Sequence, residues 1–408
     1  MILYMTWFSE QGRQLAVQVS KLPLFIDYGQ IHSRYGGQMV IGSGVWSEKN
    51  GSHAITCAGQ ENEYSDGNVC VRMRNDRPLQ EWLQEAFEEQ FPVLIIGALG
   101  IVVRSIAPFI KHKTSDSPVL VMDEAGQFVI PVLAGHLGGA NELAQQIAAG
   151  LQFPCYETGN HRPVAVVTTA TDVHGVFAVD VFARRNGLKV CQPKRIRMVS
   201  GKILRGDSVT LAIDPDVVDV EALKSQQIPE QIELISWNSF LESGKADIVI
   251  TKKQTETREE SAGLKPLVLC PKMTILGMGC RKNKSYNEIK QMVQMAEKEG
   301  LIDPEDVFAL ASVDRKAGEA GLQELAQHLR VPFVVFSAEE LNGVPGSFSF
   351  SGFVTQTVGV DNVCERAAVA AADGGALSVK KQMGNGVTLA ASKRGKIFID
   401  FSSNFVEK

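Results

Sequence analysis

The chain has 408 residues, 44% of them hydrophobic and 21% charged, with a formal net charge of −5. That is the composition of a soluble globular protein of two or three domains. It carries no general cationic footprint, so neither a nucleic-acid nor a membrane-surface partner is expected. The seven cysteines are scattered and never spaced Cys-x-x-Cys, which points to reduced cytoplasmic thiols and away from a disulfide framework or a zinc site. The N-terminus shows neither a basic region nor a small-residue cleavage site, so secretion is not expected.

Residues 1–75 are the least regular part. A helix is expected from Glu10 to Leu22, then short glycine-rich elements around Gly36–Gly44 and a polar patch at Asn50–Gly67. From Leu79 the pattern sharpens. Leu79, Trp82, Leu83, Ala86 and Phe87 have helical spacing, and Val93–Ile96 is a short apolar strand. Pro92–Ile110 is almost wholly apolar, but Arg104, two glycines and Pro108 argue against a lipid-spanning helix. It reads as a strand, a turn and a short helix. Strands follow at Val119–Met122, Phe128–Leu133 and Val164–Val167, with a helix-like run after the Gly135–Ala144 string ending near Leu151 and a helix over Val176–Asn186. Strands near Val209–Ile213 and Ile232–Ile235 make a second unit, and the polar stretch Lys252–Gly263 reads as a linker. The last part restarts with a strand at Met273–Leu276 and a turn at Gly277–Arg281. Helices then fall at Tyr286–Glu299, Gly318–Leu329 and Val363–Ala372, with strands at Val307–Ala311 and Pro332–Phe336, a hairpin around Gly384-Asn385-Gly386, and a final strand at Ile397–Phe401.

Strands alternating with helices imply an α/β fold. The expected architecture is a Rossmann-like layered N-terminal domain with a largely parallel sheet (1–165), a small middle α/β unit with linker (166–270) and a separate C-terminal α/β domain (271–408).

Three glycine turns carry the candidate chemistry: Gly97/Gly100 with Arg104, Gly135/Gly138/Gly139 with His136 and Asn141, and Gly277/Gly279 with Arg281 and Lys282. Glycine lets backbone approach a ligand, and a helix start offers N–H groups to an anion. In a parallel sheet such turns gather on one edge. None has dinucleotide or P-loop spacing, so a nucleotide cofactor is disfavoured. Arg104, in an apolar stretch, either neutralises a carboxylate or meets an anionic ligand. His136 is either a general base or a turn histidine bonded to backbone. Thr168, Thr169, Thr171 and Asp172 either grip polar ligand groups or cap the following helix. Asp123 and Glu124 suit a hairpin turn, and Cys280, with no histidine near in sequence, suits a structural thiol. No metal-ligand set is apparent.

Taken together, Gly97-Ala-Leu-Gly-Ile-Val-Val-Arg-Ser-Ile-Ala-Pro108, Asp116-Ser-Pro-Val-Leu-Val-Met-Asp-Glu-Ala-Gly126, Gly135-His-Leu-Gly-Gly-Ala-Asn-Glu-Leu-Ala144, Thr168-Thr-Ala-Thr-Asp172, Gly277-Met-Gly-Cys-Arg-Lys282, Ala311-Ser-Val-Asp-Arg-Lys316 with Glu319, and Val358-Gly-Val-Asp-Asn-Val-Cys-Glu-Arg-Ala-Ala368 closely resemble the cobalt-precorrin-5A hydrolase family of the anaerobic, early-cobalt route to cobalamin. The resemblance runs from about Leu79 to Ala391. Ala134 stands where that family more often has serine.

The resemblance implies hydrolysis of the δ-lactone of a cobalt corrinoid, with C20 and its methyl leaving as acetaldehyde. Cobalt comes with the substrate, so no protein cofactor is expected. The implied partners are the corrinoid itself and, in passing, the pathway's methyltransferases. In this reading His136 activates water or relays the leaving proton, the N–H groups of Gly138 and Gly139 hold the oxyanion, and Asp172 orients a partner. Gly97, Gly100, Arg104, Gly135, Asn141, Thr168, Thr169, Thr171, Arg281, Lys282 and Lys316 meet the substrate's carboxylates and polar groups. The chief rival is a corrinoid carrier that binds and presents the intermediate without catalysing its opening.

Overall fold

In the computed structural model, residues 2–20, 22, 38–39, 70–72, 78–112, 115–155, 159–252, 265–350, 356 and 358–401 are described. Apart from Gln38 and Met39, the glycine-rich elements expected around Gly36–Gly44, the patch at Asn50–Gly67 and nearly all of the expected linker lie outside them. The protein is mixed α/β and divides into two compact units. One joins Met1–Val167 to Thr274–Lys393; the other joins Thr168–Met273 to Arg394–Lys408.

The first unit has an N-lobe and a C-lobe. In the N-lobe, β1 (Ile2–Trp7) leads to α1 (Glu10–Ser20). After β2 (Gln38–Met39) come β3 (Cys70–Arg72), α2 (Leu79–Glu88), β4 (Val93–Ile96), α3 (Leu99–Ile106), β5 (Val119–Met122), β6 (Phe128–Leu133), α4 (Ala140–Gly150), the small hairpin β7 (Phe153–Cys155) and β8 (Gly159–His161), and β9 (Val164–Ala165). The sheet order is β3-β1-β4-β5-β6-β9. All its pairings are parallel except β5 with β6, a hairpin.

The unbroken apolar run of β4 follows from this topology, because helices cover both faces of the sheet. Leu94 and Ile96 pack with Leu15, Val19, Leu143 and Ile147 of α1 and α4. Val93 and Ile95 pack with Trp82, Leu83, Val102 and Ile106 of α2 and α3. The hairpin turn is local chemistry: Asp123 Oδ1 accepts from Phe128 N at 2.6 Å and Oδ2 from Ala125 N at 3.1 Å.

The second unit holds α5 (Ala170–Val173), α6 (Val179–Arg185), β10 (Leu188–Val190), α7 (Ile196–Leu204), β11 (Val209–Ile213), β12 (Ile232–Ile235), α8 (Trp237–Ser243), β13 (Ile248–Ile250) and β14 (Leu267–Pro271). Its sheet runs β10-β14-β13-β11-β12, parallel except for the edge strand β10. The last expected strand, Ile397–Phe401, is instead a single bridge from Ile397 to Val218 in this unit. Asn186 explains its capture: its Nδ2 donates to Asp400 O and its Oδ1 accepts from Asp400 N. Phe401 also stacks on Phe182, with ring centroids 5.0 Å apart.

The C-lobe comprises β15 (Thr274–Cys280), α9 (Tyr286–Lys298), β16 (Val307–Val313), α10 (Ala320–His328), β17 (Phe333–Phe336), α11 (Ala338–Gly343), α12 (Val363–Ala371), β18 (Leu377–Gly384) and β19 (Val387–Lys393). Its mixed sheet runs β18-β19-β15-β16-β17-β2, so Gln38 and Met39 of the N-terminal segment supply its outer strand. Asn385 and Gly386 close the β18–β19 hairpin, both at positive φ as the expected two-residue turn requires.

A second expectation is corrected. Gly277 and Gly279 do not form a turn, because β15 continues through Cys280. A Cβ on Gly277 would lie 1.8 Å from the Cys364 carbonyl oxygen of α12. The glycine is there for close helix–sheet packing, a role glycine takes inside strands.

Candidate functional site

The antiparallel hairpin decides where the glycine turns lie. β4 and β5 run together, with Ile96 opposite Met122, whereas Leu133 at the end of β6 pairs with Val119 at the start of β5. Gly97 and His136 therefore sit on opposite edges of the N-lobe sheet. Three residue steps along a strand separate them by at least about 10 Å. The expected gathering of these turns on one edge fails because β6 reverses direction.

The Gly97 edge is the point where strand order reverses, since β1 is followed by β3 on one side and β4 on the other. The ring of Phe8, at the end of β1, lies against Gly97, where a Cβ would approach it at 2.8 Å. Arg104 is exposed rather than buried, and its Nη1 donates to its own helix at Gly100 O, 3.0 Å away. The apolar stretch misled because α3 buries only Val102, Ser105 and Ile106 and turns Leu99, Ile101 and Val103 to solvent.

On the opposite edge, the turn after β6 folds onto itself. Ala134 adopts a φ of 55°, and Gly139 opens α4 from the left-handed region at 85°. Gly139 N–H donates to His136 O at 3.0 Å, Ala140 N to Ala134 O and Asn141 N to Gly135 O. A Cβ on Gly138 would meet Ala134 at 2.5 Å, and one on Gly135 would meet Asn141 Oδ1 at 2.6 Å. These glycines are thus required by the turn's own packing, and Asn141 is buried beneath it. The Gly139 N–H is spent inside the turn, so it cannot hold an oxyanion. The His136 side chain is half-buried.

Residues the sequence did not single out bring the C-lobe to this same edge. Glu89, which ends α2, accepts from Tyr286 Oη at 2.6 Å and from Lys290 Nζ at 3.1 and 3.2 Å. His328 Nδ1 lies 3.0 Å from the same carboxylate, close but not aligned as a hydrogen bond. Burial pushes the Glu89 carboxyl up, yet His328, Tyr286 and Lys290 outweigh it and hold it down to about 2. Arg330 Nη2 reaches Asp116 O at 3.4 Å. Two residues on, Pro118 Cγ lies 3.2 Å from where a Gly138 Cβ would be. A chain of contacts thus runs from Arg330 of the C-lobe to the His136 turn. A glutamate among Glu85, Glu88 and Glu89 at a helix end gives no sequence signal of such a joint.

The edge of the C-lobe where β15 and β16 end is cationic. β15 and β16 are parallel, so the residues after Cys280 and after Val313 share one edge with the Asn385-Gly386 turn, whose Gly386 O accepts from Arg281 N at 2.9 Å. Arg281, Lys282 and Arg315 are exposed there. Lys316 is committed to Glu319 at 2.7 Å and Lys284 to Glu288 at 2.6 Å. Glu319 Oε2 also takes Asn283 N at 3.0 Å, which ties the two turns together. Burial pushes the Cys280 thiol up to about 11, with nearby Lys316 only partly offsetting it, so it is a structural thiol.

The Val358–Ala368 segment is likewise structural. Buried Glu365 accepts from Ser349 N and Oγ, Asn362 Nδ2 and Lys381 N, and Arg366 pairs with Asp361 while its head lies 4.6 Å over the Phe348 ring.

In the second unit, Thr168 is exposed, Thr169 and Asp172 are half-buried and Thr171 is buried. Thr171 and Asp172 lie in the single turn α5, with Thr169 at its start, and the later helix α6 starts from Ala178, so none of them caps it. Among the described residues no helix is long and apolar enough to cross a membrane.

Three family models match nearly end to end: Cobalamin synthesis G N-terminal over residues 81–172, Cobalamin biosynthesis central region over 177–271, and Cobalamin synthesis G C-terminus over 274–392. A cobalt-precorrin-5A hydrolase of Priestia megaterium is 31% identical over 317 residues, 76% of this chain and 80% of that protein. That of Salmonella typhimurium is 30% identical over 296 residues, covering 70% and 77%. Among solved structures, a cobalamin biosynthesis protein G homolog from Sulfolobus solfataricus is 19% identical over 77% of this chain and 92% of its own, with a TM-score of 0.28. With the three matches in chain order and relatives this similar over most of their length, the chain belongs to the cobalt-precorrin-5A hydrolase family of enzymes.

Proposed function

We propose that this protein opens the δ-lactone of cobalt-precorrin-5A with water and releases C20 and its methyl as acetaldehyde, leaving cobalt-precorrin-5B. The observation that carries the reading is the similarity to hydrolases of that name over most of the chain. The chemistry needs a base for water, donors for the tetrahedral oxyanion and a guided proton. Attack at the acyl carbon gives the ring-A acetate and a hydroxyl on C20. Deprotonation of that hydroxyl expels acetaldehyde as the C1–C20 electron pair is taken up by the macrocycle.

His136 is our candidate base: a half-buried imidazole on the N-lobe edge that the C-lobe joins through Glu89 and Arg330. Imidazole is the side chain whose residue type suits proton transfer near neutral pH. The exposed Arg281 and Lys282 would take substrate carboxylates from the C-lobe side, and the Gly138 N–H is the remaining candidate of the two proposed oxyanion donors. Lys316, held by Glu319, would reinforce the cationic edge rather than bind directly. Gly97, Gly100 and Arg104 face the other edge, so the same lactone cannot touch both them and His136. Thr168, Thr169, Thr171 and Asp172 keep their proposed part in gripping polar groups. The reading implies a cytoplasmic enzyme whose only cobalt arrives with the substrate.

An anaerobic assay with cobalt-precorrin-5A tests it. Catalysed acetaldehyde release, lost in His136→Ala, is the expected result. Tight corrinoid binding without faster release would make the protein a carrier, and full turnover in His136→Ala would remove the base assignment.

A further inference from the structure

Outside the proposed site, two thiols of the second unit meet across its edge. Cys270 lies in β14 opposite Lys189 of the edge strand β10. Cys191 follows two residues later, just past the last paired residue of β10, so its side chain returns to the same face of the sheet. The two Sγ atoms are 2.7 Å apart. A disulfide needs about 2.05 Å, so little side-chain movement separates contact from a bond. Cys191 sits at the bend where the chain turns toward Gln192, one residue past the paired ladder of β10. Both residues are half-buried at a sheet edge, within reach of a small oxidant. Cys280 and Cys364 lie in the first unit, where burial pushes each of those thiols up to about 11.

The pair spans nearly the whole sheet of the unit. Residues 191 and 270 bracket β11, β12 and β13, and β10 is otherwise held to β14 by a three-residue ladder, by Val268 N donating to Gln192 Oε1 at 2.9 Å and by Cys191 N donating to Val268 O at 3.0 Å. A covalent bond here would pin the edge strand and close a long loop, which disfavours the unfolded chain.

We propose that Cys191 and Cys270 are a reversible oxidation site, closed by a low-molecular-weight disulfide such as glutathione disulfide. One thiolate attacks the oxidant's S–S bond, forming a mixed disulfide and releasing one glutathione. The other thiolate attacks the protein sulfur of that mixed disulfide, forming the Sγ–Sγ bond and releasing the second glutathione. Two protein thiols are oxidised, one glutathione disulfide is reduced to two thiols, and the two protons pass to the released glutathiones. The half-exposed bond remains open to reduction, so the stability of the second unit follows the thiol–disulfide balance around it.

The full-length protein, held folded, is titrated with glutathione disulfide and mapped by non-reducing peptide mass analysis. The expected result is one cross-linked pair, Cys191 with Cys270, reversed by dithiothreitol. The thermal unfolding midpoint should rise on oxidation and fall back on reduction. Cys191→Ser and Cys270→Ser should each lose the cross-link and the rise, and Cys280→Ser should keep both. Stable glutathione adducts on either cysteine without the cross-link, a cross-link elsewhere, or no oxidation would overturn the proposal. The wild-type mapping decides it even if a serine variant folds poorly.

Discussion

Glu89 offers the sharpest physical test of how the two lobes of the first unit are joined. Its carboxyl is held at about 2 against an ordinary 4.5, with its side chain 23% exposed. At about 1.4 kcal/mol per pKa unit, the gap is worth on the order of 3 kcal/mol when the group is ionised. Because the folded value is the lower one, this stability is fully present above pH 4.5 and drains away as pH falls toward 2. Glu89→Gln keeps an acceptor for Tyr286 but removes the charge facing Lys290 and His328. We expect it to cost about 2–3 kcal/mol at pH 6.5, measured by urea unfolding followed by intrinsic fluorescence. Between pH 6.5 and 3.5 the wild type should lose about 1.4 kcal/mol that the variant does not, narrowing the difference by that amount. A difference that is the same at both pH values would refute the electrostatic reasoning. One below about 0.5 kcal/mol at pH 6.5 would reduce the joint to an ordinary surface ion pair.

Other consequences follow from the same geometry. Gly277→Ala places a methyl against the Cys364 carbonyl and should cost about 3 kcal/mol or prevent folding, read as a drop in thermal midpoint and soluble yield; unchanged stability would contradict the packing role. The Cys280 thiol, pushed up to about 11, should stay unlabelled by a thiol reagent at pH 8 in the folded protein, and rapid labelling there would contradict its burial. Replacing both Arg281 and Lys282 by Glu should raise KM for the corrinoid about tenfold with kcat little changed. A fall in kcat at constant KM would place those cations in the chemistry instead of in binding.

Much of the fold was legible because its strands are short and mostly apolar, several of them next to glycine or proline, as at Pro92 and Gly97 around Val93–Ile96. Val93–Ile96, Val119–Met122, Phe128–Leu133, Val209–Ile213 and Ile232–Ile235 have the expected limits. What the sequence hid was tertiary. The hairpin at Asp123-Glu124 is legible and makes β6 run against β5, but the expected gathering of the glycine turns on one edge overlooked that this reversal moves His136 to the far edge from Arg104. Gly277 looks like a turn residue until α12 is packed on β15. Arg104 looks buried because its neighbours are apolar, although α3 exposes them. The Glu89 joint depends on groups some 200 residues away, and no spacing rule reaches that far. Ile397–Phe401 has the apolar alternation of a strand, but its backbone and Phe401 ring are claimed by Asn186, Gln226 and Phe182.

The central claim is that water opens the lactone at its acyl carbon before C20 leaves. Turnover of cobalt-precorrin-5A in water enriched in oxygen-18, followed by mass analysis of the corrinoid, tests this most directly. The account predicts one labelled oxygen in the ring-A acetate of the product, formed at a rate that His136→Ala sharply lowers. A corrinoid product without the label would contradict it, because the acetate would then have kept both lactone oxygens.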